Sequence, residues 1–328
     1  MQIKNLGGEF ALIEKLVKII PSQSKHVLVS IGDDAAVFKS PNMVDQYLLV
    51  TTDILIAGEH FIKNWSTPEQ IGIKAVECNV SDIAAMGGTP TYMVISIALP
   101  PDTTVEWTEK LYQGLAESCR KHNIVVIGGD TTQGFVETIS ITLLGSVTSK
   151  NLCLRSDAKA GDILAVTGPL GASSAGLNLL ENQFPLAPYL ENKFHTPKCR
   201  LDASLKLSPI VNAMIDISDG LASEINHLCT QSNVGAFINR KDIPLHRDVI
   251  NAGEKLKVDA VDFALNGGED YELLFSIPPS KLDKLKQTGL KFYQIGKITE
   301  HGESCFLISE SNKKIPLHGG YKHFKYKL

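Results

Sequence analysis

The chain has 328 residues, 43% of them hydrophobic, with a formal net charge of −4 and a pI near 6.1. That length supplies a sizeable core and predicts two domains. Basic residues are scattered apart from a short basic end at Lys322, Lys325 and Lys327, which argues against a nucleic-acid partner, and no apolar run approaches the roughly 20 residues of a membrane span.

The chain opens on MQIKNLGGEF, which lacks the apolar stretch of a secretory leader. The first half then alternates strand-like and helix-like segments. YLLVTTDILI (47–56), TYMVISIALP (91–100), NIVVIGGD (123–130) and ETISITLLGSV (137–147) are β-branched and strand-length. A helix is predicted from Thr67-Pro68, with Thr67 as cap and Glu69 in the first turn, closing near Gly87-Gly88, and a second from about Val105 to His122. The polar stretch at 148–162 predicts a domain boundary, giving domains 1–148 and 149–328. In the second half DILAVTG (162–168), AFIN, GGEDYELLFSIP (267–278), KFYQIGKIT (291–299) and SCFLISE (304–310) read as strands. The segment SPIVNAMIDISDGLASEINHLC reads as two helices meeting at Asp219-Gly220. Six cysteines stand far apart with no C-x-x-C pair, a pattern of reduced thiols in a cytoplasm.

Acids stand where burial is expected. IGDDAAVF places Asp33 and Asp34 among apolar residues, VTTDIL carries Asp53, NVSDIAAMGG Asp82, VIGGDTT Asp130, DISDGL Asp216 and Asp219, and GGEDYELLF Glu269 and Asp270. Any one reads as a turn or a cap. Together they predict converging carboxylates, most readily stabilised by divalent cations. Hard oxygen ligands without a His or Cys cluster favour Mg²⁺ over zinc, and several single acids suggest several ions and a polyphosphate ligand. P-loop and protein-kinase signatures are absent. The glycines of 168–176 read either as a phosphate cradle or as close strand–helix packing, the second favoured.

As a set, GGEF (7–10), IGDDAAV, TTDILIAGEHF (51–61), KAVECNVSDIAAMGGTP (74–90), IGGDTT (127–132), RSDAKAGD (155–162), IDISDGL (215–221), GGEDYELLF and GGYKHF (319–324) resemble the thiamine-monophosphate kinase family. Its superfamily also holds aminoimidazole ribonucleotide synthetase, selenophosphate synthetase and a hydrogenase maturation protein. The resemblance implies an α/β (α+β) subunit of two domains whose N-terminal sheet pairs with its twin's into a barrel across a homodimer. It implies transfer of the ATP γ-phosphoryl to thiamine monophosphate with several Mg²⁺ ions; the cytoplasm, and the absence of a nucleic-acid or membrane partner, are expected from cysteine pattern, charge and hydropathy. By motif, Asp34, Thr51, Thr52, Asp53, Asp82, Asp130, Asp216 and Asp219 would hold metal. Gly129, Asp130, Arg155 and Ser218 would contact ATP, and His60, Glu269 and Tyr321 the thiamine phosphate. Asp33 is expected to make the turn, and Ala57 and Glu59, the outer two of Ala57-Gly58-Glu59, depart from many relatives. For Tyr321 the alternative is an aromatic sealing the core; for His60, an imidazole satisfied by backbone.

The chemistry agrees with these residue types. An acceptor phosphate with its second ionisation near pH 6 needs no general base, so no catalytic residue of that kind is expected and positioning with charge neutralisation carries the transfer. Absence of a cysteine before Cys78 disfavours selenophosphate synthetase, and the ending YKHFKYKL disfavours the hydrogenase maturation protein. Aminoimidazole ribonucleotide synthetase and a non-catalytic nucleotide or Mg²⁺ sensor are the remaining alternatives.

Overall fold

The computed structural model describes residues 9–19, 24–39 and 45–321. Gly7 and Gly8, Lys322 to Phe324 and the rest of the basic end lie outside the described residues. Two mixed sheets divide the chain.

The first half runs α1 (Glu9–Val17), β1 (Val27–Val29), β2 (Ala36–Lys39), β3 (Gln46–Ile56), α2 (Pro68–Ala85), β4 (Thr89–Leu99), α3 (Val105–Lys121), β5 (Val125–Gln133) and β6 (Thr138–Thr148). The sheet order is β1-β2-β3-β6-β4-β5, with β4 and β5 parallel and the remaining pairs antiparallel. Thr67 caps α2 through a capping box with Gln70 at the predicted position, and Gly87, at φ 72°, turns the chain out of it. Strand β6 alternates buried and half-buried residues along its length. Its buried set, Ile139, Ile141 and Leu143, faces α2 together with Leu49, Met93 and Ile95. The other face stays open, with Ile54 48% and Tyr92 50% exposed. Helix α1 and the short strands β1 and β2 carried no periodic signal long enough to predict.

The second half runs through a single tight turn at Arg155–Asp157, then β7 (Ile163–Val166), α4 (Ala172–Glu181), α5 (Pro188–His195), α6 (Leu201–Leu207), β8 (Ala213–Asp216) and α7 (Leu221–Ser232). It continues with β9 (Gly235–Asn239), α8 (Arg247–Leu256), α9 (Ala260–Asn266), β10 (Leu273–Ile277), α10 (Leu282–Gln287), β11 (Tyr293–Thr299), β12 (Cys305–Ile308) and β13 (Lys314–Pro316). The sheet order is β13-β12-β9-β11-β7-β10-β8, antiparallel except for β12 with β9.

Two expectations need correction. The segment predicted as two helices meeting at Asp219-Gly220 is strand β8 followed by α7. Every residue of β8 is buried, and a short run buried on both sides has no periodicity to separate strand from helix. GGEDYELLFSIP becomes a strand only at Leu273; before it Glu269 (φ 65°) and Tyr271 (φ 50°) turn the chain in left-handed conformations.

Candidate active site: an acidic crevice between the sheets

Three carboxylates from distant parts of the chain meet. Ligand oxygens of Asp34, Asp82 and Asp216 lie within 4.8 Å of one another. Asp34 comes from the turn before β2, Asp82 from the last turns of α2, and Asp216 from the end of β8. Thr51 Oγ1 donates to Asp82 Oδ2 at 2.5 Å and Ser81 Oγ to Asp216 Oδ2 at 2.6 Å, so α2 touches both sheets. Burial pushes the Asp82 carboxyl well up, and Asp53, Asp216 and Asp34 push it further. The same causes, burial first and then Asp34, raise Asp216. Burial also raises Asp53, and the neighbouring Cys78 thiol offsets part of that rise.

Arg155 is the counter-ion within the crevice. Its guanidinium pairs with Asp34 Oδ1, and its backbone N–H donates to Asp33 Oδ2 at 3.2 Å. The Asp34 N–H donates to Asp33 Oδ1 at 2.9 Å, so Asp33 makes the predicted turn and also ties it to the Arg155 loop. Burial and the neighbouring Asp34 raise Asp33 to about 7. One guanidinium does not balance this many acids, and Asp34 Oδ2 remains buried without a hydrogen-bond partner. An orphaned carboxylate oxygen amid mutually repelling acids fits a hard divalent cation.

The other wall carries the substrate candidates. His60 Nδ1 accepts the Ile56 N–H at 3.0 Å, which leaves the ring proton on Nε2. Ser218 O accepts the Glu269 N–H at 2.8 Å, and a Cβ on Gly268 would sit 2.2 Å from that carbonyl, so only glycine lets the two loops touch. Tyr321 N–H donates to Asp219 O at 2.8 Å, and its hydroxyl donates to Glu59 Oε1 at 2.7 Å. Glu59 thus anchors the tyrosine across the cleft.

Some predicted residues stand apart. Alternation along β3 turns Thr51 and Asp53 toward α2 and Thr52 toward the open face, where Thr142 Oγ1 donates to Thr52 Oγ1 at 3.3 Å. Only the backbone of Thr52 can face the acids. Asp130 pairs in register with Ser96 on edge strand β5 and is exposed on that same open face. Gly129 is in register with Ile95, and a Cβ there would lie 1.8 Å from the Ile95 carbonyl. Across β6 and β4 this row reaches Asp53, three strand spacings or about 14 Å away.

The sequence reading missed Glu224 and Lys74. Glu224, buried in the first turn of α7, accepts the Asp219 N–H at 3.0 Å and is raised by burial and by Asp219. Its signal was its place five residues after Asp219. Lys74 begins the KAVECNVSD stretch and pairs with Glu269. The remaining acids of GGEDYELLF hold the loop itself. Asp270 accepts the Gly171 and Ala172 N–H groups at the start of α4, at 2.7 and 3.2 Å. Glu272 accepts from Thr167, Lys193 and Arg200. The glycines of 168–176 therefore serve close packing: a Cβ on Gly168 would strike Glu272 at 2.6 Å.

A second set of metal-capable side chains, Glu77, His122 and Cys199, is also buried and within 4.8 Å. Here Glu77 Oε1 accepts from Ser118, Lys121 and His122 and Oε2 from the Cys199 N–H. Those bonds outweigh burial and hold its carboxyl down at about 2. With its acceptors taken, this cluster pins the two halves together.

The chain matches the family models for AIR synthase related protein, N-terminal domain over residues 32–147 and C-terminal domain over residues 159–307. It is 37% identical over 327 residues to the thiamine-monophosphate kinase of Buchnera aphidicola subsp. Schizaphis graminum, covering 97% of this chain and 99% of that one. It is 35% identical over 328 residues to the thiamine-monophosphate kinase of Aquifex aeolicus, covering 99% and 100%. A solved structure described as AaThiL complexed with AMPPCP and TMP superposes with a TM-score of 0.87 at 35% identity, covering 98% of this chain and 99% of that one.

Proposed function

The chain belongs to the thiamine-monophosphate kinase family of the AIR synthase related proteins, and from that membership we propose how its acidic crevice carries the reaction. It is an ATP-dependent kinase that converts thiamine monophosphate to thiamine diphosphate. The observation that carries the site is the meeting of Asp34, Asp82 and Asp216 around an unpartnered carboxylate oxygen. Asp34, Asp53, Asp82, Asp216 and Asp219, with Thr51 and the Thr52 backbone, would hold Mg²⁺. When bound, Mg²⁺ neutralises phosphate charge so that two anions approach each other.

The chain's own residues orient the partners. Arg155 and the Ser218 loop meet the nucleotide; Arg155 supplies positive charge and is itself fixed by Asp33 and Asp34. His60, with its proton on Nε2, Glu269 and Tyr321 receive the acceptor, Tyr321 stacking on its cationic ring. No side chain needs to remove a proton from an acceptor that is already a phosphate.

We read 148 as the domain boundary, which fits one sheet ending at Thr148 and the next beginning at Ile163. The open face of the first sheet fits a homodimer, because Ile54, Tyr92, Val125, Ile127, Phe135 and Val136 are exposed on or beside it. Asp130 lies on that face, with Gly129 beside it on edge strand β5, so each site would take the pair from the partner subunit. A cytoplasmic setting fits the six free cysteines.

Purified protein with ATP, Mg²⁺ and thiamine monophosphate is expected to yield ADP and thiamine diphosphate; no product at millimolar Mg²⁺ overturns this reading. Mixing inactive Asp82→Asn and Asp130→Asn subunits tests the dimer. Shared sites regenerate one intact centre per mixed dimer, whereas sites built from single chains stay silent.

A further inference from the structure

Lys74 is a buried cation aimed at the acceptor wall. It is 5% exposed and lies two turns before Asp82 on α2, on the face that also carries Cys78. Its Nζ donates to the His60 carbonyl at 3.0 Å and lies 2.6 Å from Glu269 Oε1 and 2.7 Å from Oε2. The same ammonium stands 5.5 Å over the Phe194 ring of α5. Ser173 Oγ adds a bond to Glu269 Oε2 at 3.3 Å.

Glu269 is an unusual partner for a structural lysine. Its side chain is 30% exposed, and its backbone sits at φ 65°, where residues other than glycine are uncommon. The loop is clamped in that conformation by Asp270 on the start of α4 and by Glu272 between Lys193 and Arg200. A lone carboxylate here would repel an incoming phosphate ester. Paired with Lys74 it forms a net-neutral unit; Oε2 accepts from both Lys74 and Ser173, while Oε1, facing Lys74, keeps a lone pair to offer.

We infer that Lys74 is a positioning and specificity-determining residue: it fixes the Glu269 carboxylate and the His60 turn so that Glu269 accepts hydrogen bonds from the amino-bearing ring of thiamine monophosphate. This rests on the kinase reading above. One side chain on α2 thereby links the acceptor wall to the helix that presents Asp82 to the phosphates.

Steady-state kinetics of the full-length enzyme test it. Lys74→Met is expected to raise the KM for thiamine monophosphate by about tenfold or more, with the KM for ATP changed by less than about twofold. Lys74→Arg is expected to recover most of the loss. The unaltered enzyme is expected to prefer thiamine monophosphate over the analogue whose exocyclic amino group is replaced by oxygen, and Lys74→Met to lose that preference. An equal rise in both KM values, or an unchanged preference, overturns the inference. If Lys74→Met does not fold, as judged by its melting curve, Lys74→Gln is held to the same two criteria. No turnover by the unaltered protein overturns the kinase reading and the inference with it; turnover with an indifferent Lys74 variant overturns the inference alone.

Discussion

Glu77 and Asp82 share one helix, five residues and about 140° apart, and they have opposite fates. Glu77 is buried and Asp82 half-buried. Glu77 meets a hydroxyl, an ammonium, an imidazole and a backbone N–H, and its carboxyl falls to about 2. Asp82 meets one hydroxyl and three other aspartates, and its carboxyl rises. One face of α2 is built to hold the molecule together; the other stores repulsion that a divalent cation would relieve. Burial of an acid therefore says little by itself: its partners decide whether it stabilises or binds.

The contrast is sharpened most by Asp82→Asn. Turnover is expected to fall roughly a hundredfold or more, while the metal-free protein melts no lower than the parent because one repelling charge is gone; activity and thermal melting check the two halves. A parental rate breaks the comparison. Glu77→Ala is expected to act in reverse, costing about 3 kcal/mol of stability by leaving buried Ser118, His122 and the Cys199 N–H without their acceptor. Its turnover per folded molecule stays near parental, as denaturant titration and kinetics on the folded fraction will show.

Mg²⁺ supplies a smaller readout. It is expected to raise the melting temperature of the parent and of Glu77→Ala, and to raise that of Asp82→Asn much less, since a ligand stabilises only the state that binds it. A shift in Asp82→Asn equal to the parent's places the ion elsewhere. The smallest effect is acid stability. The folded Glu77 carboxyl lies below its ordinary value of 4.5, so its stabilisation is complete above about 4.5 and is lost as pH falls toward about 2. Melting curves of the parent and of Glu77→Gln are expected to converge over that window, and parallel curves would mean that the pairs to Glu77 contribute nothing.

Tertiary pairing also explains what the motifs left open. IGDDAAVF placed two acids side by side without naming the cation that shares their site; Arg155, 121 positions from Asp34, supplies it. TTD placed three candidate ligands in a row, and the pleat splits them between two faces. The run before DISDGL read as helix because β8 is buried on both sides.

By itself the sequence determined the cap and start of α2, the long strands of the first sheet, the oxygen-rich set of acids and the family to which they belong. These follow from side-chain periodicity, caps and local hydrogen bonds, which act within a few residues. Only the tertiary structure decided that Asp34, Asp82 and Asp216 meet, that Asp130 faces away from them, and that Lys74 reaches Glu269. Such contacts join residues 48 to 195 positions apart, and they exist only because packing two sheets against α2 brings those stretches to one crevice.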